Sequence, residues 1–377
     1  SRPGSASERP RLFFNAPGSC SFLPTPSPLP RGVRPDTMGM RFHDRLAVPR
    51  TPIVTVSFFT AALSAWRATH VAVPALRDDD IPPDSVVKLS IKAVANARTA
   101  ENLGAEREGT GVVFGEKGLI LTIGYLILEA GSILIVAGDG RVYPASVIGY
   151  DHATGFGVLR AGIDSRPLEL GSSAGVRELA TMLVAAHGAA GGASRACVVS
   201  RRRFTGWWEY MIEGGIFTSP PRFEHSGAGL LDADGRLVGI GSLWVSDALE
   251  VGAAFPGNMF VPVDLLQPML DDLLSTGRSR TPARPWLGVY SEEVQGHVVV
   301  TRVLPESPAA LAGLARGDII LGVGGEAVGR QSEFYQRLWS SGDAGSSVTL
   351  HVLHKRMVRQ LTVRSMDRMA FLRPWQA

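Results

Sequence analysis

Ser226 stands in His225-Ser-Gly-Ala-Gly-Leu-Leu, beside a glycine and ahead of an apolar run, in a chain of 377 residues. It reads either as a nucleophile or as a plain turn serine. Amide hydrolysis by a serine needs three further things: a base for the hydroxyl proton, a carboxylate that orients the base, and donors for the developing oxyanion. Three histidines are candidate bases. His225 adjoins Ser226, but successive side chains of an extended or tightly turned segment point apart. His152 follows Asp151, a suggestive pairing, and His187 in Ala186-His-Gly reads as a loop residue. The plain alternative for all three is a surface or turn histidine. No pair of histidines has metal-ligand spacing, and the only cysteines are Cys20 and Cys197. Neither a disulfide, a metal site nor a cofactor is expected.

These groups have to be positioned by a turn-rich β architecture. The chain holds 43 Gly and 25 Pro, and 45% of it is apolar. Runs such as Gly111-Val-Val-Phe and Leu119-Ile-Leu-Thr recur at short spacing, as in barrels and sandwiches. This pattern is continuous from Ser85 to about Leu274. Apolar residues at 265, 266, 269, 270, 273 and 274 predict a closing helix over Asp264–Leu274. The spacing predicts one unit over 85–276, a basic linker over 277–284, a second compact unit over 285–365 and a tail over 366–377 without an assignable fold.

The amino-terminal part differs. Residues 1–37 hold eight prolines and no hydrophobic period, and are expected to be disordered. Arg41, Arg45 and Arg50 then precede the apolar run 53–65, which gives 38–66 the order of a signal peptide. An uncleaved membrane anchor and a buried helix are the alternatives, because a spanning helix needs about 20 apolar residues. Residues 67–84 read as a polar linker. Residues 1–66 carry eight Arg, no Lys and three acidic groups, a net of +5, whereas the rest carries 30 basic and 32 acidic groups, a net of −2. The part expected to fold is therefore not basic, which excludes a nucleic-acid partner.

A series of motifs resembles the HtrA/Deg family of trypsin-like serine proteases. In the family's order come Gly109-Thr-Gly-Val-Val-Phe, Leu121-Thr-Ile-Gly-Tyr-Leu-Ile, Asp139-Gly-Arg-Val-Tyr-Pro-Ala-Ser-Val, Asp151-His-Ala-Thr-Gly-Phe-Gly-Val-Leu, Leu170-Gly-Ser-Ser, the Ser226 segment, and Phe260-Val-Pro-Val-Asp-Leu-Leu. Each is weak alone; the ordered series over roughly 190 residues is strong. The second unit matches better still. Arg284-Pro-Trp-Leu-Gly-Val is similar to the carboxylate-binding loop that opens an HtrA PDZ domain. Ser307-Pro-Ala-Ala-Leu-Ala-Gly-Leu-Ala-Arg-Gly-Asp is similar to its short helix and Gly-Asp turn. The resemblance implies a mainly β chain: a trypsin-like double β-barrel, then a PDZ domain, itself a small β-sandwich or barrel with two helices.

By the same resemblance Ser226 takes the nucleophile position, Tyr125 the base position, Gly155 the orienting-acid position and Glu224 the oxyanion-hole position. Tyrosine is a poor proton acceptor at neutral pH and glycine has no side chain. A side chain at position 224 disfavours positive φ, and its carboxylate repels an oxyanion. In the PDZ-like unit, Trp286, Leu287, Gly288 and Val289 would bind a peptide terminus, with Phe334 and Leu338 on the apolar side of the groove helix. The family reading therefore implies a serine-protease homologue of the cell envelope, periplasmic or membrane-anchored through 53–65. It would bind polypeptide C-termini or unfolded proteins as adaptor, chaperone or regulator. The alternatives are an active endopeptidase with a rearranged site, or a structural partner in mixed oligomers with active homologues. A homotrimer is the family's usual assembly.

Overall fold

The computed structural model describes residues 85–187, 193–252 and 254–375. The expectations for 1–37, 38–66 and 67–84 lie outside the described residues.

The first barrel is built from β1 (Val86–Ala93), β2 (Glu106–Val113), β3 (Leu119–Ile123), β4 (Ala130–Val136), β5 (Val142–Tyr150) and β6 (Phe156–Ala161), closed in the order β1-β2-β3-β6-β5-β4. Its sequence signal is the period of two. Val87, Leu89 and Ile91 of β1 are buried, and the residues between them turn outward. β1 pairs with β2 on one side and β4 on the other, which closes the sheet and leaves no free edge.

The second barrel follows the same plan. It comprises β7 (Thr181–Ala185), β8 (Ala193–Gly206), β9 (Tyr210–Ser219), β10 (Gly229–Leu231), β11 (Leu237–Val245) and β12 (Gly257–Pro262), in the order β10-β11-β12-β9-β8-β7. Phe217, Ile240, Met259 and Val261 belong to the same apolar core as Leu89, Ile120 and Phe156, so the two barrels pack on one another.

The expected helix over Asp264–Leu274 is broken. Single 3-10 turns occupy Val263–Leu265 and Gln267–Met269, and α-helix begins only at Leu270. Pro268 explains the break: it offers no N–H to a helical ladder, and its ring crowds the preceding turn. Among the described helices the first is α1 (Ala100–Leu103), and α2 is Leu270–Thr276.

The PDZ unit is a sheet of β13 (Val289–Val294), β14 (His297–Val303), β15 (Ile319–Val323), β17 (Ser347–His354) and β18 (Met357–Arg364), with β16 (Glu326–Ala327) paired to β15. Two helices cover it, α3 (Pro308–Leu311) and α4 (Gln331–Ser340). Ser307 caps α3 by accepting a hydrogen bond from the Ala310 N–H at 3.3 Å, with Pro308 in the first turn. Residues 366–375, for which the sequence offers no fold, form α5 (Arg368–Phe371) and a strand-like bridge between Met366 and Trp286. Phe371 packs its ring 4.8 Å from that of Trp286, beside Leu128 and Tyr150 of the first barrel. The mainly β double barrel with a two-helix PDZ unit is the architecture expected from sequence.

Candidate functional site

Ser226 follows a single 3-10 turn, Phe223–His225, between β9 and β10. Its carbonyl accepts a hydrogen bond from the Thr110 N–H of β2 at 2.8 Å, which ties the segment to the first barrel. Tyr125 comes from the 3-10 turn Gly124–Leu126 after β3. Its hydroxyl lies 2.7 Å from Ser226 Oγ and 2.8 Å from the Ser242 carbonyl oxygen. A phenol has one proton and a carbonyl can only accept, so both contacts form together when Tyr125 donates to Ser242 and Ser226 donates to Tyr125. Burial pushes the Tyr125 pKa up to about 12, against the opposing pull of the Ser226 hydrogen bond. At pH 7 only ~10⁻⁵ of such a phenol is ionised. It holds the serine proton without removing it.

The Tyr125 backbone is fixed from beneath by a buried arginine. Arg107 donates to the carbonyls of Tyr125 (3.0 Å), Leu128 (2.7 Å) and Gly104 (3.0 Å), and to Thr99 Oγ1 (2.8 Å). Thr99 in turn donates to the buried Glu129 carboxylate at 2.6 Å.

Gly155 sits beside the Tyr125 turn, its carbonyl accepting from the Gly124 N–H at 2.6 Å. Its φ is +81°, and a β-carbon added there would stand 3.1 Å from the Tyr210 hydroxyl. That hydroxyl donates to the Thr154 carbonyl at 2.7 Å. A tyrosine from the second barrel thus fills the ground an acidic side chain at 155 would enter. Glu224 takes φ −82°, ψ 29°, a right-handed conformation open to any side chain, in keeping with a side chain's aversion to positive φ. Its carboxylate turns toward Arg222, 3.8 Å away.

The second constellation lies in the PDZ unit. The N–H groups of Leu287, Gly288 and Val289 converge on one carboxylate, that of Glu209. The distances are 3.0 Å from Leu287 to Oε2, and 2.7 Å and 2.8 Å from Gly288 and Val289 to Oε1. Gly288 has φ +81°, and a β-carbon there would meet Ser307 Cβ at 2.3 Å, so only glycine fits. Such a ring of successive amides is an anion nest. Burial raises the Glu209 pKa to about 7, and the three amides pull it the other way.

Residues 109–240 match the trypsin-like peptidase domain family and residues 285–364 the PDZ domain family. This chain is of the HtrA type, a trypsin-like peptidase domain followed by a PDZ domain. It is 28% identical over 275 residues to the "Probable periplasmic serine endoprotease DegP-like" of Halomonas elongata, covering 68% of this chain and 55% of that protein. It is 27% identical over 295 residues to "Serine endoprotease DegS" of Haemophilus influenzae, covering 73% and 79% respectively. The HtrA-type chain thus spans about half the length of the DegP-like relative and about four fifths of the DegS relative. Among solved structures it is similar to "HtrA-type protease AlgW with decapeptide", at 21% identity and a TM-score of 0.49, over 81% of this chain and 99% of that one.

Of the three candidate bases, His225 and His152 are engaged by other groups than Ser226. His225 Nδ1 lies 3.0 Å from the Arg222 carbonyl oxygen. His152 is engaged by the Tyr150 hydroxyl at 3.2 Å and by Arg368 at 3.0 Å, and its pKa falls well below the usual imidazole value through burial. The His187 backbone N–H donates to Thr110 Oγ1 at 3.2 Å. In the PDZ unit, Phe334 and Leu338 are wholly buried in its core, and Trp286 packs against Phe371. From the same helix it is Gln331 and Tyr335 that present polar groups to the groove. Glu209, Tyr210, Tyr335, Gln331 and Arg107 were not foreseen from sequence. Among the described residues no group of three His, Cys, Asp or Glu side chains is placed to hold a metal ion, and no helix is long and apolar enough to cross a membrane.

Proposed function

We infer that this HtrA-type protein is catalytically impaired and acts by holding polypeptides through its PDZ domain, as adaptor, chaperone or regulator in the cell envelope. One observation carries the reading: the partner of Ser226 Oγ at 2.7 Å is the Tyr125 phenol, with a pKa of about 12, where a base would have to stand. Loss of a single triad member costs a factor on the order of 10⁴ or more, and here both base and acid positions are substituted. Polypeptide capture is supported by the amide nest at Leu287–Val289, whose geometry suits a terminal carboxylate. The envelope location is supported by relatives described as periplasmic and by the charged-then-apolar order of residues 38–65.

The test is labelling with a serine-reactive fluorophosphonate beside digestion of unfolded casein, with Ser226→Ala as control. The expected result is neither labelling nor cleavage. Casein cleavage that disappears in Ser226→Ala would overturn the reading in favour of an active endopeptidase.

A further inference from the structure

The hairpin between β8 and β9 turns through Trp207, Trp208 and Glu209, with Gly206 paired to Tyr210 at its base. Its tip lies across the PDZ groove and touches each part that a bound peptide terminus would use. The Glu209 carboxylate fills the amide nest of Leu287, Gly288 and Val289. The Trp207 carbonyl accepts a hydrogen bond from the Ser291 N–H on β13 at 2.9 Å, as the first rung of an added strand would. On the opposite wall the Tyr335 hydroxyl of α4 donates to the Gly206 carbonyl at 2.8 Å and accepts from the Glu209 N–H at 3.1 Å. Gln331 Nε2 holds that hydroxyl at 3.2 Å.

Two features mark this contact as more than a packing accident. Glu209 is only 2% exposed. A carboxylate so deeply buried is costly unless several donors meet it, and here the donors are the three backbone amides of the nest. Glu209 also takes φ +57°, the left-handed conformation in which a hairpin tip favours glycine. A side chain held there is strained and persists only where its surroundings over-determine it. Glycine at this position would relieve the strain and leave the nest without its carboxylate.

We propose that the Trp207–Glu209 tip is an internal ligand of the PDZ groove, standing in for a peptide C-terminus, and that an incoming polypeptide with a free terminal carboxylate must displace it. The proposal rests on the reading of the groove as a polypeptide-binding site. The occupied groove lowers apparent affinity by the fraction of molecules whose tip is out. Displacement exposes a short edge of β13 and the nest together, so ligands with both an extended backbone and a free carboxylate compete best. Amidated or internal segments lack the group that replaces Glu209.

The experiment uses the full chain and a fluorescent decapeptide ending in valine, as free acid and as amide. It compares the parent with Glu209→Ala, Glu209→Gln and Tyr335→Phe. Glu209→Ala is expected to bind the free acid at least tenfold more tightly than the parent and to gain little for the amide. The other two variants should fall between. Deuterium uptake over residues 285–290 is read in parallel, and should be slow in the parent and faster in Glu209→Ala. Equal free-acid affinity in parent and Glu209→Ala overturns the internal-ligand proposal while leaving peptide capture standing. No binding by any form overturns peptide capture and the competition together. Unchanged uptake in Glu209→Ala removes the nest contact itself.

Discussion

The Tyr210 hydroxyl lies 3.1 Å from the point where a β-carbon on Gly155 would stand. The position that the family resemblance assigns to the orienting acid thus holds a glycine with a tyrosine hydroxyl standing beside it. Tyr210 belongs to the second barrel and hydrogen-bonds the Thr154 carbonyl at 2.7 Å, so its hydroxyl is anchored beside the residue it excludes. The position at 155 also has φ +81°, which an aspartate would hold only under strain.

Restoring the triad is expected to fail in the obvious way. Gly155→Asp should lower stability by about 1–3 kcal/mol through the left-handed backbone and the crowding of Tyr210. The combination Tyr125→His, Gly155→Asp, Glu224→Gly should remain inactive on a fluorogenic casein. Adding Tyr210→Phe opens room for the carboxylate, and this fourfold variant should be the first to show cleavage that Ser226→Ala removes. Activity in the threefold variant equal to that in the fourfold one would show that Tyr210 is no obstacle.

Arg107 offers a stability prediction separate from catalysis. It is 5% exposed and bridges the carbonyls of Gly104, Tyr125 and Leu128 to Thr99. Arg107→Met should fill much of the space while leaving those carbonyls and Thr99 without their donor. A loss of about 3–5 kcal/mol is expected from removing one partner of a buried charged network. Urea unfolding of the purified variant measures it. A midpoint unchanged within error would mean that the network contributes nothing net.

The Glu209 contact should depend on pH. Its pKa in the closed contact is raised to about 7, with burial as the largest cause. A raised carboxyl pKa means that the closed contact binds a proton more tightly than the open tip does. Its stabilisation is then complete below the ordinary value near 4.5 and is lost as pH rises through about 7. The groups around it do not share this window. His152 is pushed well below the usual value, Tyr335 and Tyr210 are pushed up, and Arg284 is lowered from the usual guanidinium value, all chiefly by burial. Peptide affinity should therefore rise between pH 5.5 and 8, by at most about tenfold per pH unit. In Glu209→Gln the profile should be flat. Equal slopes in parent and variant would assign the dependence to another group.

The order of the parts and most of their backbone follow from local residue pattern. Alternation at Val87, Leu89 and Ile91 specifies a strand with one buried face, because side chains of a strand alternate between faces. The Ser307-Pro pair announces its helix by local chemistry, since the cap and the first turn lie within four residues. Pro268 is equally local, but the apolar period runs straight through it and masks the break. The sites were decided by tertiary structure. Tyr125 and Ser226 lie 101 residues apart, and no spacing rule says that the phenol meets the hydroxyl rather than solvent. Tyr210 crowds Gly155 from another barrel. Glu209 shows the limit most plainly. A glutamate at the tip of a hairpin reads as a solvated charge, because nothing within several residues can bury it. Its burial is supplied by the nest at Leu287, Gly288 and Val289, with Gly288 79 residues away in sequence. Only the docking of the PDZ unit onto the second barrel brings those amides and that carboxylate together.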